Sequence, residues 1–318
     1  MLQVTRRFFT STTSRSASAE EACVEIFQRF GDKPISVRRQ KLDMNQLRLL
    51  KITLSHSEQP EACEKLQDEE LVAPGHHIVY FTPPIPEREL GRDGTDRTVN
   101  PLSPFTRRMW AGGELHWEKD NPMKVGNTVY ETTRILTAEP KQLKNGGEMI
   151  VVGVEKTYEN SKGVVLRDNR NWVFQKELAD TQDIPPTPEE KPLPEGTHTR
   201  DFCQTEVSLF RFSALTFNGH KIHYSPEWCR KVEGHRKCVV HGPLNLINML
   251  DFWRDTAHAE EKGTLPKSIR YRAMSPLYMS EPYRILLHKE EKSEKDGEWN
   301  AEIWDSYGKI GMKGIIVG

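Results

Sequence analysis

The stretch "CVVHGPLNLINMLDFWRDTAHAEEKG", residues 238–263, decides the fold class. A short apolar run ends at His241, and Gly242-Pro243 then opens a helix, since proline suits only the first helical turn. Leu246, Leu250, Trp253 and Ala257 fall at i, i+4, i+7 and i+11, while Leu244, Ile247 and Met249 widen the apolar surface. So broad a stripe describes a helix covered on most sides. What surrounds it has the other period. Downstream, "KSIRYRAMSPLYMSEPYRILLHKEE", "EWNAEIWDSYG" and "IGMKGIIVG" read as strands. Upstream, residues 114–119, 127–140, 148–160 and 163–177 alternate apolar and polar side chains between Gly/Asn turns, as antiparallel strands do. The class is therefore α+β, and the two strand-bearing halves predict two units of a sheet wrapped around a helix. The repeat is architectural only, because no motif of one half recurs in the other.

Punctuation divides the chain further. "ADTQDIPPTPEEKPLPEGTHTRD", residues 179–201, holds five prolines among acids and reads as a linker. It separates a first domain, residues 20–178, from a second, residues 202–318. The first domain begins with an amphipathic helix through Cys23, Ile26, Phe27 and Phe30 that runs toward Lys51 and into "LDMNQLRLLKITL", itself of helical spacing. "FTPPIPERELGRDGTDR", residues 81–97, cannot be one regular element and is expected to be a long surface or site-covering loop. Residues 1–19 hold three arginines, eight Ser/Thr and no acid, which marks a mitochondrial transit peptide and predicts a matrix protein.

At 318 residues there is ample chain for a buried core, and a net charge of −1 gives no field that argues for nucleic acid. No apolar run approaches the roughly 20 residues that span a bilayer, so no membrane segment is expected. The five cysteines are scattered and never in Cys-x-x-Cys spacing, which suggests reduced thiols rather than a disulfide frame or thiolate zinc site.

The densest polar chemistry lies in "LTFNGHKIHYS", residues 215–225, with Asn218, His220 and His223. Together with His241 the histidines can supply three imidazoles to a metal, but no Cys or carboxylate sits at ligand spacing, and no metal or cofactor is expected. Asn218-Gly219 is also a plain turn signal. A third reading is acid/base work, for which imidazole is the side chain suited near neutrality. After the turn, Ser225 caps a short helix that starts at Pro226.

The order of these residues resembles a known family. "FRFSALTFNGHKIHYSP", residues 210–226, followed by "VVHGPL", residues 239–244, is similar to the active-site motif of MaoC-like hydratases and dehydratases of acyl thioesters, which have a hot-dog fold. That motif reads roughly Y-R-x-S-G-D-x-N-P-x-H-x-D-P, with His-Gly downstream. Arg211, Ser213, His223 and Pro226 match it, whereas Asn218 stands where the family has its Asp and His220 where it has Asn. "RRMWAGGELHW", residues 107–117, narrows the resemblance to the two-domain subfamily of mitochondrial type 2 3-hydroxyacyl-thioester dehydratases and mesaconyl-C4-CoA or itaconyl-CoA hydratases.

The resemblance implies a double hot dog, with two antiparallel sheets each wrapped around a central helix, and a hydro-lyase that interconverts 3-hydroxyacyl and 2-enoyl thioesters of CoA or acyl carrier protein. Dehydration in mitochondrial fatty-acid synthesis is the first expectation, hydration of a branched dicarboxylic thioester the second, and a non-catalytic acyl-thioester-binding protein the alternative of another class. His223 is expected to carry the proton, with His220 and Asn218 positioning water or hydroxyl. Gly242 is the expected oxyanion donor at the helix start. Arg211, Lys221 and Arg236 are candidates for the phosphates of CoA or a carrier protein's acidic face, and Met109 and Trp110 for the acyl tunnel. Both monomer and homodimer are compatible with a chain that already pairs two units.

Overall fold

The computed structural model describes residues 17–54, 69–143, 146–178, 184, 186–257, 264–290 and 297–318. Most of the proposed presequence therefore lies outside the described residues. Its last three do not: Ser18 caps helix α1 (Ala19–Phe30) by accepting from Glu21 N, and Ala19 is buried. The helix expected to continue toward Lys51 is interrupted. Strand β1 (Ser36–Lys41) follows, then α2 (Met44–Leu54). "SVRRQK" alternates half-buried and exposed positions without an apolar series, so its strand character comes from pairing to β3 and not from hydrophobic period.

The remaining strands of the first half are β2 (Arg107–Trp117), β3 (Thr128–Gln142), β4 (Glu148–Asn160) and β5 (Gly163–Gln175). The second half contains β6 (His198–Phe202), α3 (Glu206–Leu215), α4 (Pro226–Lys231), α5 (Gly242–Ala257), β7 (Ser268–Ala273), β8 (Tyr283–Lys289), β9 (Glu298–Asp305) and β10 (Ile310–Val317). Residues 198–201, read as the end of the linker, are thus the start of edge strand β6, paired with β8. Ser225 caps α4 as expected, accepting from Trp228 N.

The two expected sheets are one. The order is β1-β3-β4-β5-β2-β7-β10-β9-β8-β6, and β2 is the seam, antiparallel to β5 on one side and to β7 on the other. A register shift between Trp110 and Gly112 marks a bulge in β2 at that seam, the kind of irregularity that re-aims a side chain.

Alternation drives the second half. β9 buries Trp299, Ala301 and Ile303, and β8 buries Tyr283, Ile285 and Leu287. Against this surface lies α5, whose Leu244, Leu246, Ile247, Met249, Leu250 and Trp253 are all buried. The helix comes so close that a Cβ on Gly314 of β10 would stand 2.7 Å from Met249 Sδ, which explains glycine there. The first half has no equivalent helix among the described residues. A single 3-10 turn at His76–Val79 and the short α2 take that place, a departure from the expectation of one long helix per sheet. His76 Nε2 meets both carboxylate oxygens of Asp251 on α5 at 3.1 Å, and Gln46 of α2 donates to Val79 O and Leu215 O. The halves therefore share one core, while α1 packs its apolar side on a smaller one with Ile150, Val152 and Phe174.

Candidate active site

The histidine-bearing stretch is a compact turn at the end of α3. Phe217 takes a left-handed conformation (φ 50°), Asn218 N donates to Ser213 O at 2.8 Å, and Asn218 Oδ1 accepts from His220 N at 3.1 Å. Asn218 thus spends its carbonyl on its own turn, as Asn does in Asx turns. A 3-10 turn at Lys221–His223 follows.

His223 is held from both directions. Its Nδ1 lies 2.8 Å from Val239 O, and Val239 N donates back to Ile222 O at 2.9 Å. A carbonyl can only accept, so Nδ1 carries the proton and Nε2 keeps its lone pair. The ring of His241, the residue before α5, stacks on His223 at 3.6 Å between centroids, and Ser213 Oγ is 2.8 Å from His241 Nε2. His220 meets His223 edge to face at 5.4 Å. Burial pushes the His223 pKa down to about 4, against the pull of its hydrogen bond to Val239, with His235 lowering it further. Burial, then His223, holds His220 and His241 well below the ordinary imidazole range. All three rings are neutral at physiological pH. Ring nitrogens already engaged with Val239 and Ser213 leave this stack badly disposed for chelation, and no cluster of three His, Cys, Asp or Glu suited to a metal ion occurs among the described residues.

A cavity of about 560 Å³ opens beside these rings, lined by Asn218, His220, His223, His241 and Gly242. Both expected tunnel residues, Met109 and Trp110, line it too. Trp110 reaches across the seam to the start of α5, where a Cβ on Gly242 would stand 3.0 Å from Trp110 Cδ1. Glycine at this position lets the indole close against the helix N-terminus, whose first N–H groups have no intrahelical acceptor.

The expected phosphate ligands are not in the cavity. Arg211 is exposed on α3. Lys221 donates to Arg92 O at 2.7 Å over the Trp228 ring, and Arg236 is paired with Glu281 through Nε at 3.0 Å and Nη2 at 2.5 Å. The loop at residues 81–97 does cover the site. Asp93 O accepts from Lys221 N at 2.8 Å, and Asp93 Oδ2 lies 3.7 Å from His220 Nε2. Sequence reasoning missed Asp93, among the described residues the one carboxylate paired with a site histidine of this motif, although the flagged loop carried it. It also missed Arg108, which stacks on Trp172 at 4.6 Å and donates to Asp96 O, and the charged wall formed by Arg38, Glu131, Lys156 and Arg170.

A continuous antiparallel sheet in two halves, one wrapped around a buried helix whose N-terminus faces a neutral imidazole, defines a double hot-dog protein. Solved structures agree. A MaoC-like dehydratase from Phytophthora capsici superposes with a TM-score of 0.62 at 14% identity, covering 91% of this chain and 96% of its own. A Mycobacterium tuberculosis protein described as a double hotdog gives 0.56 at 12% identity, covering 88% and 94%. The model of the hydroxyacyl-thioester dehydratase type 2 family matches residues 75–279, and the chain belongs to that family. It is similar to the mesaconyl-C(4)-CoA hydratase of Chloroflexus aurantiacus, 29% identical over 213 residues, 66% of this chain and 72% of the relative. The mitochondrial hydroxyacyl-thioester dehydratase type 2 of Schizosaccharomyces pombe is 27% identical over 239 residues, 67% and 77% of the two chains. The protein is a hydro-lyase, as its motif implied, and the non-catalytic alternative falls away.

Proposed function

We propose that the cavity interconverts a 2-enoyl thioester and its 3-hydroxyacyl form with His223 as the proton-transferring group. One observation carries this reading. The Nδ1–H of His223 is committed to Val239 O, which leaves Nε2 unprotonated in the cavity that Gly242 also lines.

In hydration, His223 Nε2 takes a proton from water as the water oxygen bonds to Cβ. The electron pair of the double bond moves onto the thioester oxygen, where Gly242 N–H and the positive end of α5 stabilise it. The resulting imidazolium is a strong acid because its burial disfavours charge, so it readily returns the proton to Cα. Dehydration runs the same steps backwards. His220, beside Asp93, holds the water, and Asn218 fixes the turn that aims His220. The missing acid at position 218 is no obstacle to this chemistry, since one imidazole serves both proton steps. The catalytic unit is then the second half of the chain, residues 202–318, with the first half as its wall.

The acid-free, arginine-bearing N-terminus and the two relatives named as mitochondrial support residence in the mitochondrial matrix. Incubation with crotonyl-CoA, followed by loss of enoyl absorbance, tests the activity. Turnover that His223→Ala abolishes is expected; undiminished turnover in that variant overturns the assignment.

A further inference from the structure

Two asparagines interrupt the apolar surface of α5, and their surroundings differ. Asn248, 2% exposed, donates through Nδ2 to Tyr283 Oη at 3.3 Å. Asn245, 5% exposed, lines the cavity, and its Oδ1 is buried with no hydrogen-bond partner among the described residues. A buried amide oxygen left unpaired is destabilising, which is why buried polar groups ordinarily have partners. Packing does not call for a polar side chain here. Leu244, Leu246, Ile247 and Met249 beside it are all apolar and buried, and leucine, close to asparagine in reach, is the better helix former.

The position explains the amide better than the packing does. Asn245 stands one turn beyond Gly242, with its backbone N–H bonded to His241 O at 3.1 Å. Helical side chains lean toward the preceding turn, so this amide is carried back over Gly242, where the thioester oxygen is held. His241 in turn stacks on His223 at 3.6 Å, which brings amide, oxyanion donor and base into one neighbourhood. In a 3-hydroxyacyl thioester, Cα alone separates the hydroxyl carbon from the thioester carbon. A group three residues along the helix axis from the oxyanion donor, about 4.5 Å, is placed for that hydroxyl.

The bonds of the reacting water lead to the same residue. Water brings two protons and two lone pairs to the enoyl group. His223 Nε2 takes one proton, and one lone pair forms the bond to Cβ. The other proton stays on oxygen throughout, becoming the hydrogen of the new hydroxyl, and it needs an acceptor that the reaction does not consume. Asn218 is not available, because its Oδ1 already accepts from His220 N. Asn245 Oδ1 is a free acceptor of the right kind.

We propose that Asn245 binds the 3-hydroxyl of the substrate, its Oδ1 accepting the hydroxyl proton, and thereby distinguishes the hydroxyacyl thioester from the enoyl thioester. This rests on the thioester hydration reading above and adds to it the residue that holds the oxygen.

The test is Asn245→Leu, followed in both directions with 3-hydroxybutyryl-CoA and crotonyl-CoA. The lost bond belongs to the hydroxyacyl complex and to the transition state, but not to the enoyl complex. KM for 3-hydroxybutyryl-CoA is therefore expected to rise about 3- to 10-fold with kcat unchanged, the size of one neutral hydrogen bond. In hydration kcat drops by the same factor while KM for crotonyl-CoA holds, as the unchanged overall equilibrium requires. The inhibition constant of butyryl-CoA, which has neither hydroxyl nor double bond, is expected to stay the same. The melting temperature should hold or rise, since the amide removed had no partner in the fold. Should that variant fail to fold, Asn245→Ala reads the same split. An unmoved KM for 3-hydroxybutyryl-CoA, or a butyryl-CoA inhibition constant that rises with it, overturns the proposal and leaves the hydratase reading standing. No turnover of either thioester by the unaltered protein overturns both.

Discussion

In the second half of the molecule the sheet packs α5 with a mainly apolar surface, interrupted where Asn248 donates to Tyr283 Oη, and His223, His241 and Gly242 meet at one end. In the first half the sheet carries no helix as long as α5 among the described residues, α1 covering only the smaller core, and the cavity is faced by paired charges and by Trp110. On the mechanism proposed above, one half holds the group that moves the proton and the other supplies the wall of the cavity. The halves differ because a buried helix needs apolar cover everywhere, whereas a cavity tolerates charge if each ion keeps a partner.

The sharpest way to break this division is His223→Ala. Turnover of an enoyl thioester is expected to fall by about 10²–10⁴-fold with the fold intact, as measured by enoyl absorbance and circular dichroism together. Equal loss on replacing a wall residue instead would erase the distinction between the halves. Gly242→Ala comes next; the N–H remains, so the expected loss, about 10²-fold at most, comes from shifting that donor off the oxyanion. Its new methyl also meets Trp110 at 3.0 Å, so the change in indole fluorescence should accompany the loss. Asp93→Asn tests whether the first half reaches into the chemistry. The amide oxygen keeps the turn to Thr95 but removes the charge near His220, and kcat is expected to drop about tenfold, one 1.36 kcal/mol step, with little change in KM.

Acidification gives a smaller effect that falls mostly on the second half, where His220, His223, His235 and His241 are depressed, beside His77 in the first. Unfolded histidines take up protons near pH 6.5, but His223 and His235 in the folded chain do so only near 4. Between these values the unfolded state binds more protons, so the melting temperature is expected to fall as pH drops below about 6.5 and to be flat above it. Arg211→Ala should do least, leaving kcat/KM within about twofold of the parent, since exposed substitutions rarely exceed 0.5 kcal/mol.

Much of this was legible in the sequence. The apolar stripe and Gly-Pro start located α5, alternation located β4, β5, β8, β9 and β10, and Ser225-Pro226 located α4, because in each case local pattern and final burial agree. β1 and β6 were not, since edge strands rich in Arg, Lys and Thr owe their pairing to neighbours far along the chain. The same limit applied to the site. His220, His223 and Asn218 lie within one turn and were found together. Asp93 comes from a distant segment, and no spacing rule connects it to residue 223, whereas Trp110 was reached through the resemblance carried by residues 107–117. Lys156 and Arg170 sit in charged stretches of β4 and β5 that read as solvent-facing; there they line a cavity instead.

Strand β2 has a further consequence. In a two-fold pair of identical chains every contact residue appears twice, and any change in one wall is copied into the other. Here β2 and β7 meet as unlike neighbours, Gly112 opposite Arg272 and Gly113 opposite Tyr271. Trp110 and the wall beyond it exist in a single copy per chain. With both units in one chain, a substitution in this wall changes one side of the cavity and has no symmetric copy.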